Sequence, residues 1–195
     1  MQDNSNEVIL SFLMNRRSVL ATKLTDPGPN KKELNDIITA GIRVPDHGRC
    51  YPWRIQVVSK EGQKKLGILY SKILLDNHKN EKKEYIDYWY SRPQSAPCLL
   101  VVTFNPDLEK KEKIPLIEQE LSGGAMCQNI LNASHALGYS AQWLTEWPAY
   151  NSEVKIFLGH KKDTQILGFI FIGTANEKPK ERKRALLSDI VTYFD

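Results

Sequence analysis

The run from Pro97 to Phe104, Pro-Cys-Leu-Leu-Val-Val-Thr-Phe, carries no polar face. A strand with one wet side alternates apolar and polar residues. A continuous Leu- and Val-rich run bounded by Pro97 and Pro106 instead predicts a central strand buried on both faces. Gln165 to Ile172 predicts a second buried strand of the same kind. Such strands require cover above and below, and the intervening segments have the periodicity to supply it. Glu7 to Asn15 places Val8, Ile9, Phe12 and Leu13 at helical spacing and stops at Arg16-Arg17. After a turn at Asp26-Pro27-Gly28-Pro29, Asn30 with Glu33 three residues on forms a capping box that opens a helix with Leu34, Ile37, Ile38 and Ile42 on one stripe. Trp53 to Val58 alternates like a half-buried strand, and Leu66, Leu69, Ile73 and Leu74 mark the helix after it. Glu81 to Tyr90, charged and aromatic, reads as a mobile helix or flap. Pro115 to Leu137 reads as one long helix whose small residues, Gly123, Gly124, Ala125, Ala133, Ser134 and Ala136, let another backbone or a flat ligand come close. Gly138 caps it; Tyr139 to Thr145 reads as a strand and Asn151 to Leu158 as a short helix. Strands separated by helices throughout imply three layers with the sheet inside, α/β or α+β. Ile190 to Phe194 is strand-like yet isolated, and a neighbouring subunit's sheet edge is one candidate partner.

With 41% hydrophobic and 26% charged residues, the 195-residue chain has the profile of one ordinary globular domain or two small ones rather than of a disordered chain. No apolar run approaches the roughly 20 residues of a membrane-spanning helix. The polar start Met1 to Ser5 shows no secretory signal, so a cytoplasmic location is expected. Three cysteines, Cys50, Cys98 and Cys127, fit neither a disulfide framework nor a zinc ribbon. The net charge of +4 equals the charge of Lys178 to Arg184 alone, which holds five basic residues and Glu181. The near-neutral remainder argues against a nucleic-acid-binding face and points to one local demand for positive charge.

Arg16-Arg17-Ser18 offers two guanidinium forks and a hydroxyl at a helix end, the group types that hold phosphate. Basic residues complementing a helix dipole explain the tripeptide equally well, and a solvated charge run explains the basic tail. The loop from Gly41 to Trp53 gathers Arg43, Asp46, His47 and Arg49 between a helix and a strand. His47 and Cys50 have a spacing that suits a metal, but His78, His135 and His160 form no matching pairs, so no metal is expected. Cys127 reads as a packed core thiol rather than a nucleophile. The glycine fingerprints of dinucleotide-binding and P-loop folds are both missing.

Together, these segments resemble the FMN-dependent nitroreductase family, most closely its YdjA-like group. The resemblance rests on Asn15-Arg16-Arg17-Ser18, Ala40 to His47 with Pro52-Trp53, Glu118 to Gly124, His135 to Tyr139, the Trp143 strand, Phe169 to Thr174, and Val191 to Phe194. It covers nearly the whole chain and implies a single domain over residues 1–195. The implied fold is α+β, three-layered, with a mixed sheet flanked by helices and a C-terminal strand reaching the partner of a homodimer that buries FMN at its interface. Carried over by position, it implies that Arg16, Arg17 and Ser18 contact the ribityl phosphate region and that Arg43 and His47 contact the flavin. Trp143, Leu144 and Thr145 line the flavin from its other side, and Arg182 and Arg184 aim at the phosphate. Ala133 to Gly138 matches a stretch described as dinucleotide-binding. The chain departs from the family at Leu20, where another arginine is common, at Asp46, Arg49 and Tyr51 ahead of Pro52-Trp53, and at Leu144, where close relatives carry arginine. The activity implied is hydride transfer from NAD(P)H through FMN N5 to a nitroaromatic, a quinone or a similar electron-poor acceptor, in a ping-pong cycle without a protein nucleophile. Arg43 is the candidate for stabilising the reduced flavin. The alternatives are an FMN-binding protein without turnover, a relative using FMN for dehalogenation or another redox reaction, and, from the basic tail, a nucleic-acid binder.

Overall fold

The computed structural model describes residues 4–77, 81–177 and 179–194. Its elements are α1 (Asn4–Asn15), β1 (Leu24–Thr25), α2 (Lys31–Gly41), β2 (Trp53–Val58), α3 (Lys60–Asn77), α4 (Lys83–Ser91), β3 (Cys98–Phe104), α5 (Leu116–Ala136), β4 (Ser140–Leu144), α6 (Ser152–Phe157), β5 (Gln165–Ala175) and α7 (Leu187–Ile190). The capping box at α2 is complete: the Asn30 side chain accepts from the Glu33 amide at 3.0 Å, and the Glu33 carboxylate accepts from the Asn30 amide at 2.8 Å. Gly138, with φ +87°, ends α5 in the left-handed region that glycine occupies without cost.

The sheet confirms the two-faced reading of β3. Leu99 and Val101 join Phe169 and Phe171 of β5 on one face, against Leu66, Tyr70 and Ile73 of α3, Trp89 of α4 and Val154 of α6. Cys98, Leu100 and Val102 join Ile170 and Ile172 on the other, against Ile37 of α2 and Met126, Cys127, Ile130 and Leu131 of α5. Each such aliphatic side chain taken out of water contributes about 1.5–3 kcal/mol, so both layers are required.

β3 is bonded to β2 along one edge and to β5 along the other, and β4 lies on the far edge of β5. All described pairings are antiparallel. The crossover through α5 does leave β3 and β4 parallel, but β5, the last strand in sequence, is inserted between them. The mixed sheet implied by the resemblance therefore has no parallel pairing among the described residues.

Of the two readings of Glu81 to Tyr90, helix or flap, the helix holds as α4, with Trp89 buried edge-on to Tyr70 and Trp147 at ring-centroid distances of 6.3 and 5.3 Å. At the C-terminal end Ile190 closes α7 and the side chains of Tyr193 and Phe194 stand exposed; among the described residues Val191 to Phe194 pair with no strand of their own chain, and the expected edge belongs to a partner subunit. No described helix is long and apolar enough to cross a membrane.

Candidate functional site

The chain leaves α1 through Arg16, whose amide still donates to Phe12 O at 2.9 Å, and then runs extended across the C-terminal end of α5. Three contacts pin it there. His135 holds Arg17 O at 2.8 Å through Nε2, the Val19 amide reaches Ala141 O at 3.3 Å, and the Ala21 amide reaches the Gln142 side-chain oxygen at 2.6 Å. Val19 and Ala21 are buried, which leaves Arg16, Arg17 and Ser18 presented as a short rim. Arg16 Nη1 lies 3.5 Å from Ser18 Oγ.

The basic tail returns to this rim. Glu181 receives Arg17 Nη1 at 3.0 Å, Arg184 Nη2 at 3.2 Å and its neighbour's amide, Arg182 N, at 2.8 Å. That amide first, and then the two guanidiniums, hold the Glu181 carboxyl below the usual carboxylate range. Arg16 is pushed below the ordinary arginine value, chiefly by burial and then by the like charges of Arg184 and Arg17. Positive charge is thus crowded here beyond what Glu181 and the nearby Glu177, itself paired with Lys23 at 3.3 Å, balance, an arrangement suited to an anion. Two adjoining cavities open on it, one of about 410 Å³ lined by Arg17, Ser18, Lys180 and Arg182, the other of about 520 Å³ lined by Arg16, His135, Ser140 and Glu181. Lys178 lies outside the described residues.

β4 continues from the same place, since Ala141 and Gln142 are the residues that pin the rim. The Trp143 indole donates to Leu167 O at 2.9 Å and lies over Gly168, where any side chain would collide with it. Leu144 packs towards the α3 and α4 layer, so its side chain does not add polarity or its lack to an open pocket. Thr145 Oγ1 accepts from Tyr150 at 3.2 Å.

Arg43 and His47 sit apart from this group. Asn129 of α5 donates to Ala40 O at 2.7 Å and Arg43 O at 3.4 Å, Ser122 donates to Pro45 O at 2.6 Å, and His47 Nδ1 meets Glu118 at 2.9 Å. The loop thus descends α5 away from His135, and the rise between Glu118 and His135 is about 25 Å at 1.5 Å per residue. One chain does not bring His47 to the arginine rim. The loop itself is tightly built: Gly48, Arg49 and Tyr51 all have positive φ, and the Asp46 carboxylate accepts from the Cys50 and Tyr51 amides at 3.1 and 3.0 Å.

Cys50 donates its thiol to His47 O at 3.3 Å, which leaves it a structural role, and burial pushes the Cys127 thiol up to about 12. Among the described residues no three His, Cys, Asp or Glu gather in a way that could hold a metal. The sequence points to His135 only as part of the Ala133 to Gly138 stretch and assigns no individual role to Glu118 or Gln142. His135 and Glu118 lie within motifs already singled out, but the contacts that define their roles are 118 and 71 residues away.

The family model described as "Nitroreductase family" matches residues 13–174. The Escherichia coli (strain K12) protein named "Putative NAD(P)H nitroreductase YdjA" is 32% identical over 173 residues, which span 87% of this chain and 89% of that one. The nitroreductase-like family protein from Bacillus cereus shares the fold with a TM-score of 0.77 at 22% identity, over 95% of each chain. The NADPH:FMN oxidoreductase from Vibrio harveyi, complexed with NAD+, gives 0.71 at 15% identity, over 94% of this chain and 76% of its own. The chain belongs to the nitroreductase family, within its YdjA-like group.

Proposed function

We propose that this protein is an FMN-dependent NAD(P)H oxidoreductase that works as a homodimer. The observation that carries the reading is the Glu181 carboxylate gripped by Arg17, Arg184 and the Arg182 amide beside Ser18. A carboxylate bound in this way stands in for a ligand anion. A phosphate monoester carries about −1.5 to −2 charge at neutral pH, suits the surplus of arginines better than one carboxylate, and displaces a largely exposed side chain easily. Support also comes from the Vibrio harveyi relative of the same fold, which is named for NADPH and FMN.

Arg16, Arg17, Arg182 and Arg184 hold the phosphate in this reading, and Ser18 donates its hydroxyl to it. Trp143, Leu144 and Thr145 lie along the cofactor with their backbone, because their side chains are committed to Leu167, the core and Tyr150. Arg43 and His47, carried about 25 Å away along α5, serve the second flavin site of a symmetric dimer, whose rim the partner supplies. The exposed apolar residues Leu10, Leu121, Leu187 and Phe194 give that partner a surface to cover. Bound flavin supplies reversible hydride chemistry, and binding, orientation and electrostatics fall to the protein. Arg43 would place positive charge beside bound flavin, and His47, held by Glu118 at 2.9 Å, would present its imidazole there. Nicotinamide donor and electron-poor acceptor, a nitroaromatic or quinone, occupy one site in turn. Without a membrane-spanning helix among the described residues, a cytoplasmic setting accords with this chemistry.

The test is the visible spectrum of the purified protein with FMN, followed anaerobically after addition of NADH or NADPH, with sedimentation of the same sample. A protein-bound flavin spectrum that bleaches, from a dimer, supports the reading. Flavin that binds but stays oxidised with both nucleotides points instead to a binding role, and no flavin binding refutes it.

A further inference from the structure

The turn that ends the Trp143–Thr145 segment is held in an expensive conformation by a residue that sequence reading passed over. Glu146 has φ +50° and ψ 176°, a region that essentially only glycine occupies freely. Its carboxylate receives both prongs of the Arg92 guanidinium, Nε to Oε2 and Nη2 to Oε1, each at 2.8 Å. Arg92 follows α4, and its side chain is only 6% exposed. Its charged carbon lies 5.3 Å from the centre of the Phe171 ring and 5.8 Å from that of Tyr88, so packing fixes the fork itself. Trp147, next after Glu146, is wedged between Tyr70 and Trp89 at centroid distances of 5.2 and 5.3 Å.

We propose that Arg92 is a positioning residue of the cofactor site, which uses its ion pair with Glu146 to hold the left-handed turn terminating β4. The inference rests on the flavin reading above. A carboxylate anchored at two points leaves its own backbone little freedom, and Glu146 is bonded directly to Thr145. β4 is tied at its other end to the phosphate rim, through Ala141 O to Val19 and the Gln142 side chain to Ala21. A turn free to relax at Glu146 would let Thr145 drift away from the register that the rim sets. Pairing and turn have separable chemistry: any non-ionic residue removes the charge of Glu146, but only glycine also removes its backbone cost.

The experiment compares native protein, Arg92→Met, Arg92→Met with Glu146→Gly, and Arg92→Met with Glu146→Ala. For each, backbone hydrogen exchange of residues 140–150 is followed without flavin, and FMN affinity is measured by fluorescence quenching. Arg92→Met strands a carboxylate among aromatic rings, and the two double variants remove that complication. The glycine double variant loses the steric cost but gains backbone freedom, and is expected to fall between native and the alanine double variant in both exchange and FMN affinity. The alanine double variant is expected to exchange at least about tenfold faster in this segment and to bind FMN at least about tenfold more weakly. Equal behaviour of the glycine and alanine double variants overturns the proposal, as does altered exchange with unaltered FMN affinity. Native protein that binds no FMN refutes the flavin reading, and with it the cofactor role of Arg92. The exchange comparison reports on the turn independently, so the two failures are distinguishable.

Discussion

Placing alanine at Gly168 tests whether the central sheet and the candidate cofactor segment are one mechanical unit. Gly168 lies on β5 opposite Val102 of β3, and an added Cβ would overlap the Trp143 indole while meeting Leu144 O at 3.2 Å. The backbone on either side belongs to the sheet and cannot retreat, so the indole must leave. Overpacking costs about 1–3 kcal/mol, and the lost bond from Trp143 to Leu167 O adds about 0.5–1.5 kcal/mol. The expected total is about 2–4 kcal/mol. For a chain of this length each kcal/mol moves the thermal midpoint by about 2–4 °C, so Gly168→Ala should lower it by about 5–15 °C. Thermal unfolding followed by far-ultraviolet circular dichroism measures this directly. In a Trp143→Phe background the nitrogen and much of the clashing ring edge are already gone, and the same substitution should cost about 1–2 kcal/mol less. Equal cost in both backgrounds would show that the clash is not with Trp143 and would refute the reasoning.

Arg17→Ala removes one charge-assisted contact to the bound anion, worth about 1.5–3 kcal/mol, and should weaken FMN binding about 10- to 150-fold with a shallower salt dependence, as read by fluorescence quenching at two ionic strengths. Glu181→Gln removes the carboxylate that competes for the same arginines, so FMN should bind more tightly, most clearly at low salt; weaker binding would mean that Glu181 orders the tail rather than competes. The Glu33 carboxyl is held below its ordinary value, first by the Asn30 amide and then by the Tyr139 hydroxyl. Its stabilisation is therefore present above the ordinary carboxylate value and is lost as pH falls through the lowered one. Thermal midpoints of native protein and Glu33→Gln should differ at neutral pH and converge in acid, and a pH-independent difference would contradict the assignment.

Much of the architecture was legible because its signals are local. The apolar runs of β3 and β5 show that the sheet is covered on both faces, since no other arrangement keeps such residues from water. The Asn30–Glu33 box sets the start of α2, because both of its hydrogen bonds close within one helical turn. Arg16-Arg17-Ser18 can be named as an anion-binding candidate from group chemistry alone.

Other features exist only once distant segments meet. Nothing near Arg17 in sequence indicates Glu181 or Arg184, and nothing near Arg92 indicates Glu146. The insertion of β5 between β3 and β4 follows from competition among sheet edges, not from the strand's own residues. The terminal segment shows the same division: its apolar, strand-like composition is a property of the chain, but backbone groups form a strand only beside a partner edge, and none lies within reach among the described residues. Periodicity and caps are decided by neighbours along the chain, whereas ion pairs, strained turns and strand order are decided by neighbours in space. The sequence by itself thus determined the layers, most of the elements and the arginines expected at an anion; the tertiary structure decided that Arg17 and Arg184 meet on Glu181 and how the turn after β4 is held.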